Sequence, residues 1–401
     1  MSPHAPFVRL GYLASIQSGI TVDANREHGP DSVTLPYLRV ANVQDGHVDL
    51  GTITEIRVST AIARSATLQR GDVLMTEGGD LDKLGRGTVW KGEIADCLHQ
   101  NHVFAVRPDR GRLLPEYLAL ITQSAYARAY FESTGTKTTN LASTSSSKIR
   151  DFRIPLVDLD EQRRIVGFLD AETARVDALS SHRRAQVSVL DELVLARIAE
   201  HLRSAETTGP IYAYFDVQLG KMLNAERASG DSQQPYLRNA NVHWYEIDTQ
   251  DMATMTFEPD ETYRYGLKPG DLLVCEGGAG VAEAAVWDGR IGTCFYQKSL
   301  HRVRARGHVP VEWLMYWLRL SKAIGVFDAD GNLATIPHLT GEQLAEYRIP
   351  IPQDGKRRVS ELASEITAIR ETQRKMADAD ILLAERRQAL ITAAVTGGIT
   401  V

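Results

Sequence analysis

The chain has 401 residues, 43% hydrophobic and 24% charged, with a net charge of −6. That is enough chain for two to four ordinary globular domains, and with no run of about 18 apolar residues a membrane-spanning helix is excluded. The mild acidity argues against a free-standing nucleic-acid binder, but it fits a subunit whose partners supply part of the phosphate contact. Residues 1–9 lack a charged stretch followed by an apolar core, so no secretory signal is expected. Cys97, Cys275 and Cys294 form no CxxC pair and are odd in number. They point to a reducing, cytoplasmic setting and offer no zinc site.

Along the chain, short β-like runs are predicted at 35–43, 72–76, 88–90 and 103–106, separated by Gly- and Asp-rich turns. Pro115 opens a helix running to about Phe131, with proline suited to its first turn, and a polar Ser/Thr-rich stretch fills 133–148. The same order then returns: β-like runs at 235–242, 271–275, 284–287 and 299–303, a helix over 310–326, and a polar loop over 328–338. The repetition is also literal. Pro36-Tyr37-Leu38-Arg39 with Asn42 recurs as Pro235-Tyr236-Leu237-Arg238 with Asn241, shifted by 199 positions. Gly71-Asp72-Val73-Leu74 and Glu77-Gly78-Gly79 recur at the same shift as Gly270-Asp271-Leu272-Leu273 and Glu276-Gly277-Gly278. Arg153-Ile154-Pro155 recurs as Arg348-Ile349-Pro350, at 195. A period this long marks a duplicated domain rather than a solenoid repeat.

Each block is followed by a long helix. Leu362, Ile369, Met376, Leu383 and Leu390 fall seven apart, with Val359 and Ile366 between them, which is a heptad seam. Leu169, Val176 and Leu190 keep the same step in the first helix, supported by Ile165, Leu179, Leu193 and Ile198 and interrupted by Arg183 and Arg197. The alternative is two unrelated amphipathic helices, each packed on its own block. Antiparallel pairing would make a pseudo-two-fold molecule. A helix of about 40 residues is roughly 60 Å long, on the order of one to two turns of DNA, so the pair could act as a ruler. The expected fold is therefore mixed α/β: two repeated domains, 1–157 and 206–353, joined by spacer helices, 158–205 and 354–401, that form an antiparallel coiled coil.

These motifs, with Glu161-Gln162-Arg163-Arg164-Ile165 and the terminal Arg387-Gln388-Ala389-Leu390-Ile391-Thr392-Ala393-Ala394-Val395-Thr396-Gly397, resemble the specificity subunit of type I restriction–modification systems over nearly the whole chain. The second copy departs at Asp354-Gly355-Lys356-Arg357-Arg358, where Gly and Lys replace the Glu-Gln pair. The resemblance implies a non-catalytic reader of double-stranded DNA, each block a target recognition domain for one half of a bipartite, asymmetric site. It also implies two modification (methyltransferase) subunits and restriction/translocase subunits as partners. S-adenosylmethionine, ATP and Mg would sit on those partners, with no cofactor or metal on this chain.

The residues agree with a lack of catalysis. No GxxxxGK[ST] phosphate loop and no Asn-Pro-Pro-Tyr-like segment occurs. His99-Gln100-Asn101-His102 resembles a metal or nuclease cluster, but the second copy keeps only the glutamine; turn and backbone roles are expected for Glu77 and Glu276. For DNA reading, loops that differ between copies are the better candidates, since two half-sites need different readers. Arg and Lys suit phosphates or guanine, Asn suits adenine, and Thr suits the thymine methyl. The first-block candidates are Lys83, Arg86, Thr88, Lys137, Thr138 and Asn140; those of the second are Arg290, Lys298, Thr335 and His338. Arg39 and Arg238, with Asn42 and Asn241, either bind the DNA backbone or hold a turn. A coiled-coil adaptor for proteins is the competing reading.

Overall fold

A computed structural model describes residues 5–21, 29–79, 84–137, 142–222, 233–329 and 338–401. The chain forms two compact units, residues 1–183 with 377–401, and residues 184–376. The division falls within both long helices, so each unit combines one block with half of each helix.

The first unit contains strands β1 (Ala14–Ser18), β2 (Ser32–Leu38), β3 (Thr54–Ser59), β4 (Val73–Thr76), β5 (Gly87–Val89), β6 (Leu98–His99) and β7 (Val103–Pro108). An antiparallel sheet runs β1-β7-β4-β5, and a second runs β3-β2-β6 with β2 and β6 parallel. Val73, Leu74 and Met75 form an unbroken apolar run because β4 is central and covered on both faces. Val73 and Met75 pack with Phe104, Val106, Tyr117 and Ile121, while Leu74 packs with Leu38, Trp90 and Cys97 on the other face.

The second unit repeats the plan with β8 (Phe215–Leu219), β9 (Gln233–Leu237), β10 (Ala253–Thr256), β11 (Leu272–Cys275), β12 (Ala284–Val286), β13 (Phe295–Tyr296) and β14 (Leu300–Ala305). Its sheets run β8-β14-β11-β12 and β10-β9-β13. A small antiparallel pair closes each block where the chain enters and leaves it. In the first, Phe7–Arg9 lies on Arg153–Pro155; in the second, Thr207–Pro210 lies on Arg348–Ile351.

The expected single helix over 115–131 is two, α1 (Pro115–Gln123) and α2 (Ala125–Thr134). Ser124 ends the first and caps the second, its Oγ accepting from the Ala127 amide. The long helices are α3 (Leu159–Arg203) and, after α4 (Val311–Ala323), α5 (Gly355–Thr396). Asp158 caps α3 by accepting from the Glu161 amide at 2.8 Å. Gln162 is buried and serves as a clamp: its Oε1 accepts from the Leu114 amide, and its Nε2 donates to the Arg112 and Val157 carbonyls. In the second copy Gly355 lies so close to Pro310 that a Cβ there would come within 2.8 Å of the proline ring. The glycine in the departing Asp354-Gly355-Lys356 segment thus answers a packing demand.

Where α3 and α5 lie side by side they run antiparallel. In the first unit Ile165 and Leu169 share a core with Ile391 and Val395, and Asp380 accepts from Ser180 and pairs with Arg183. In the second, Val194, Ile198 and Leu202 share a core with Leu362 and Ile366, Gln373 donates to Asp191, and Arg197 pairs with Glu365. Arg183 and Arg197, which break the heptad on paper, thus each face a carboxylate of the other helix. Leu169, Val176 and Leu362 are buried, while Leu190, Ile369, Met376, Leu383 and Leu390 are half-buried. Leu179 and Leu193 do not belong to the seam: they are 50% and 42% exposed, and Val194 is buried instead. All three cysteines are free and buried, and burial pushes each thiol up to about 12.

Candidate nucleic-acid interface

Each block carries one edge built by the same hydrogen bonds in both copies. It begins with the repeated Arg-x-x-Asn turn. Asn42 is buried; its Oδ1 accepts from the Arg39 amide at 2.8 Å, and its Nδ2 donates to the Asp49 and Thr52 carbonyls. Asn241 does the same with the Arg238 amide and the Asp248 and Asp251 carbonyls. The asparagines therefore hold a turn, and the arginine that opens each turn is left at the edge. Arg39 is exposed, whereas Arg238 pairs with Asp251 at 2.7 Å.

The edge continues through the turn after β6 or β13. The Gln100 amide donates to Leu38 and the Gln297 amide to Leu237. The Glu77 amide donates to the His102 carbonyl and the Glu276 amide to that of Ser299, both at 2.9 Å. The returning chain is tied to the same glutamates: Thr144 donates to the Glu77 carbonyl and Leu339 to that of Glu276. Gly19 and Gly220 let a further strand end approach, since a Cβ at either would come within 2.2 Å of a carbonyl of the facing turn.

The ends of several described stretches meet at this one edge. In the first unit they are Ile20, which bridges to Gln100, and the ladder of Gly79, Ala142 and Lys137. Gly79 pairs with Ala142, which pairs with Lys137, so the three share one ladder row. In the second unit they are Lys221, which bridges to Gln297, and His338, which bridges to Gly277. Lys83, Thr138, Asn140 and Thr335 lie outside the described residues. The stems of 22–28 and 223–232 were not read from the sequence as part of the site, because those segments share no motif between the copies.

The remaining candidates separate. Lys298 is exposed, and among the described residues makes no ion pair; its neighbour Ser299 accepts from the Asn239 amide, and Asn239 donates to Gly277. His338 lies 3.3 Å from Glu276, so Lys298, Asn239 and His338 gather on the second edge. In the first, His102 lies 2.6 Å from Glu77, so each copy sets a histidine beside its glutamate from a different point of the chain. Arg86 anchors the stem of the 80–83 segment, its carbonyl accepting from Thr76. Thr88 is 2% exposed within β5, so the sheet withholds its side chain from any external ligand. Arg290 does not join the edge: it closes a turn, pairing with Asp288 and donating to the Ile247 carbonyl.

The frame beneath the edge is held by a buried carboxylate. Asp72 and Asp271 are 1% and 3% exposed. Arg107 grips both oxygens of the first at 2.7 and 2.8 Å, and Arg304 those of the second at 2.5 and 2.7 Å. These hydrogen bonds raise the affinity of both arginines for their protons. The glycine before each aspartate adopts φ of +93° or +91°, a conformation that suits glycine. His99 is buried, with one ring nitrogen 2.8 Å from the Val103 carbonyl, and desolvation lowers its pKa. It is a core residue rather than half of a histidine cluster. Among the described residues no group of three His, Cys, Asp or Glu could hold a metal, and no helix is long and apolar enough to cross a membrane.

No family model matches the chain. Over 183 residues it is 24% identical to a protein of Methanocaldococcus jannaschii provisionally named the specificity subunit of the type I restriction enzyme MjaX. That match takes in 45% of this chain and 41% of the relative, so it spans less than half of either. Two solved structures extend the likeness to 98% of the chain, each at 18% identity. One, with a TM-score of 0.74 and 98% of its own chain covered, comes from work on assembly and conformational transition of a type I restriction–modification system. The other, with a TM-score of 0.50 and 97% covered, is the HsdS subunit of Thermoanaerobacter tengcongensis. The chain is similar to type I specificity subunits in sequence and in fold. The mixed α/β blocks and long helices of that resemblance are thus present along the chain.

Proposed function

We propose that the chain is the DNA-specificity subunit of a type I restriction–modification complex. Each block reads one half of a bipartite, asymmetric site through its edge. One observation carries this reading: the two edges share their backbone hydrogen bonds position for position, yet differ in the side chains they present. A common frame with different readers is what an asymmetric double target requires. Lys298 and Arg39 suit phosphate or guanine.

In this reading the paired helices set the gap between half-sites and dock two modification subunits. Leu179, Val189, Leu193, Ile381 and Leu382 are large apolar residues exposed on α3 and α5, as a helix pair awaiting further helices would have. S-adenosylmethionine belongs to the modification subunits, and ATP and Mg to the restriction/translocase subunits; the chain itself performs no chemistry. The test is methylation and band-shift by the reconstituted complex on defined duplexes. Modification confined to a split sequence, with both halves required, is expected. Modification indifferent to either half would refute the reading.

A further inference from the structure

The copies differ at a second place, the turn that follows the Asn42 or Asn241 clamp. In the second unit a hairpin of Val242–His243 and Glu246–Ile247 carries Trp244 and Tyr245 at its tip, Tyr245 with φ of +66°. Arg319 and Lys322 of α4 lie 5.2 and 6.0 Å from the centroid of the Trp244 ring, and Arg370 of α5 lies 5.1 Å from that of Tyr245. The Glu246 carboxylate follows, 3.6 Å from Arg370 and 3.7 Å from Arg374. An aromatic, aromatic, acidic triplet thus fills the angle between block and helix.

At the 199-residue shift the first unit has Asp45 and Gly46, with Gly46 at φ of +75°. The backbone bend is the same and the rings are missing. A Cβ at Gly46 would meet nothing closer than Gln123 Oε1 at 3.7 Å, with Arg387 Nη2 at 4.0 Å. What remains is a groove of about 760 Å³ lined by Asp45, Ala125, Arg128, Glu385, Arg387 and Gln388. Its walls are ordered: the Ala125 amide donates to Thr392 Oγ1, and Arg128 donates to Gln388. Arg387 Nε is buried with no hydrogen-bond partner, 3.6 Å from the Asp177 carboxylate. Guanidinium faces of Arg128 and Arg387 complement an aromatic ring, and a carboxylate that follows it would reach one of them beside Asp45 and Glu385.

We infer that this groove is a docking site for an aromatic–acidic segment of a partner protein, the counterpart of the Trp244-Tyr245-Glu246 tip that fills the second copy from within. Naming a modification subunit as that partner rests on the proposed function. The two blocks then receive their subunits unequally, one site completed by the chain and the other by the newcomer.

The test uses the full chain and a blocked Trp-Tyr-Glu tripeptide. The peptide should shift the Arg387 Nε–H resonance of the wild type and leave that of Asp45→Trp/Gly46→Tyr unmoved, since the variant carries the second copy's own plug. The variant should also bind modification subunit on the order of thirtyfold more weakly. If the double variant misfolds, Ala389→Trp fills the groove from the α5 wall and is read in the same way. An Arg387 signal indifferent to saturating peptide overturns the inference, as does a filled variant that assembles as tightly as the wild type. If the wild type takes no modification subunit at all, the partner reading fails and the peptide alone decides the groove.

Discussion

The two blocks share the contacts that hold their frame and differ along much of the edge above it. Asp72 and Asp271, Asn42 and Asn241, and the glutamate carbonyls that hold the returning chain are matched in contact and geometry. The edge residues are not: Asn101 and His102 stand where the second copy has Lys298 and Ser299. The lesson is that duplication preserved a frame and released its rim. Under the proposed function, agreement between copies marks the frame and disagreement at the edge marks recognition.

That contrast can be broken in order of expected effect. Inserting four residues, about one turn, after Val187 leaves both frames intact but shifts the Arg183–Asp380 contact against that of Gln373 with Asp191. Methylation at the original spacing should vanish, and an active variant keeping that spacing would refute the ruler. Asp72→Ala and Asp271→Ala should each destabilise their unit by about 3 kcal/mol, because an arginine loses its buried partner. Urea unfolding of the two variants should give similar losses, and a loss confined to one copy would show the frames to be unequal. Asn42→Ala and Asn241→Ala should cost about 2 kcal/mol each, from orphaned turn groups. Lys298→Ala should leave unfolding unchanged, weaken binding by about 1 kcal/mol and lower the salt slope by about one; an unchanged slope would remove Lys298 from the phosphate contacts.

The smallest effect concerns pH. Burial lowers the pKa of His99 and His301 from 6.5, each ring bonded to a backbone carbonyl. Below that value the unfolded chain takes up protons that the native chain refuses, so their stabilising contribution is present above it and is lost on acidification. The Tm should fall between about pH 7 and 5.5 by an amount equivalent to up to about 1 kcal/mol per histidine. His99→Gln should flatten that slope.

Much of the frame was legible because the repeat doubled every signal. The 199-residue shift singled out Asp72 and Asn42, and proline and glycine marked the turns. It could not show that Asp72 is buried against Arg107, 35 positions away, since the strand pairing that joins them is non-local. Thr88 was misread because a polar residue beside a glycine-rich loop looks exposed, while β5 turns it inward. Leu179 and Leu193 were misread because a heptad projected from leucines alone ignores that Arg183 and Arg197 face the partner helix. The segments at 22–28 and 223–232 stayed hidden because position, not composition, brings their stems to the edge.

The buried cysteines have a consequence in chemical time. A thiol with pKa near 12 offers almost no thiolate at neutral pH, so Cys97 in one unit and Cys275 and Cys294 in the other react only when their surroundings open. The molecule thus carries a natural clock in each half. Alkylation rates assigned to each thiol would report how often that half breathes, and whether one clock runs faster than the other.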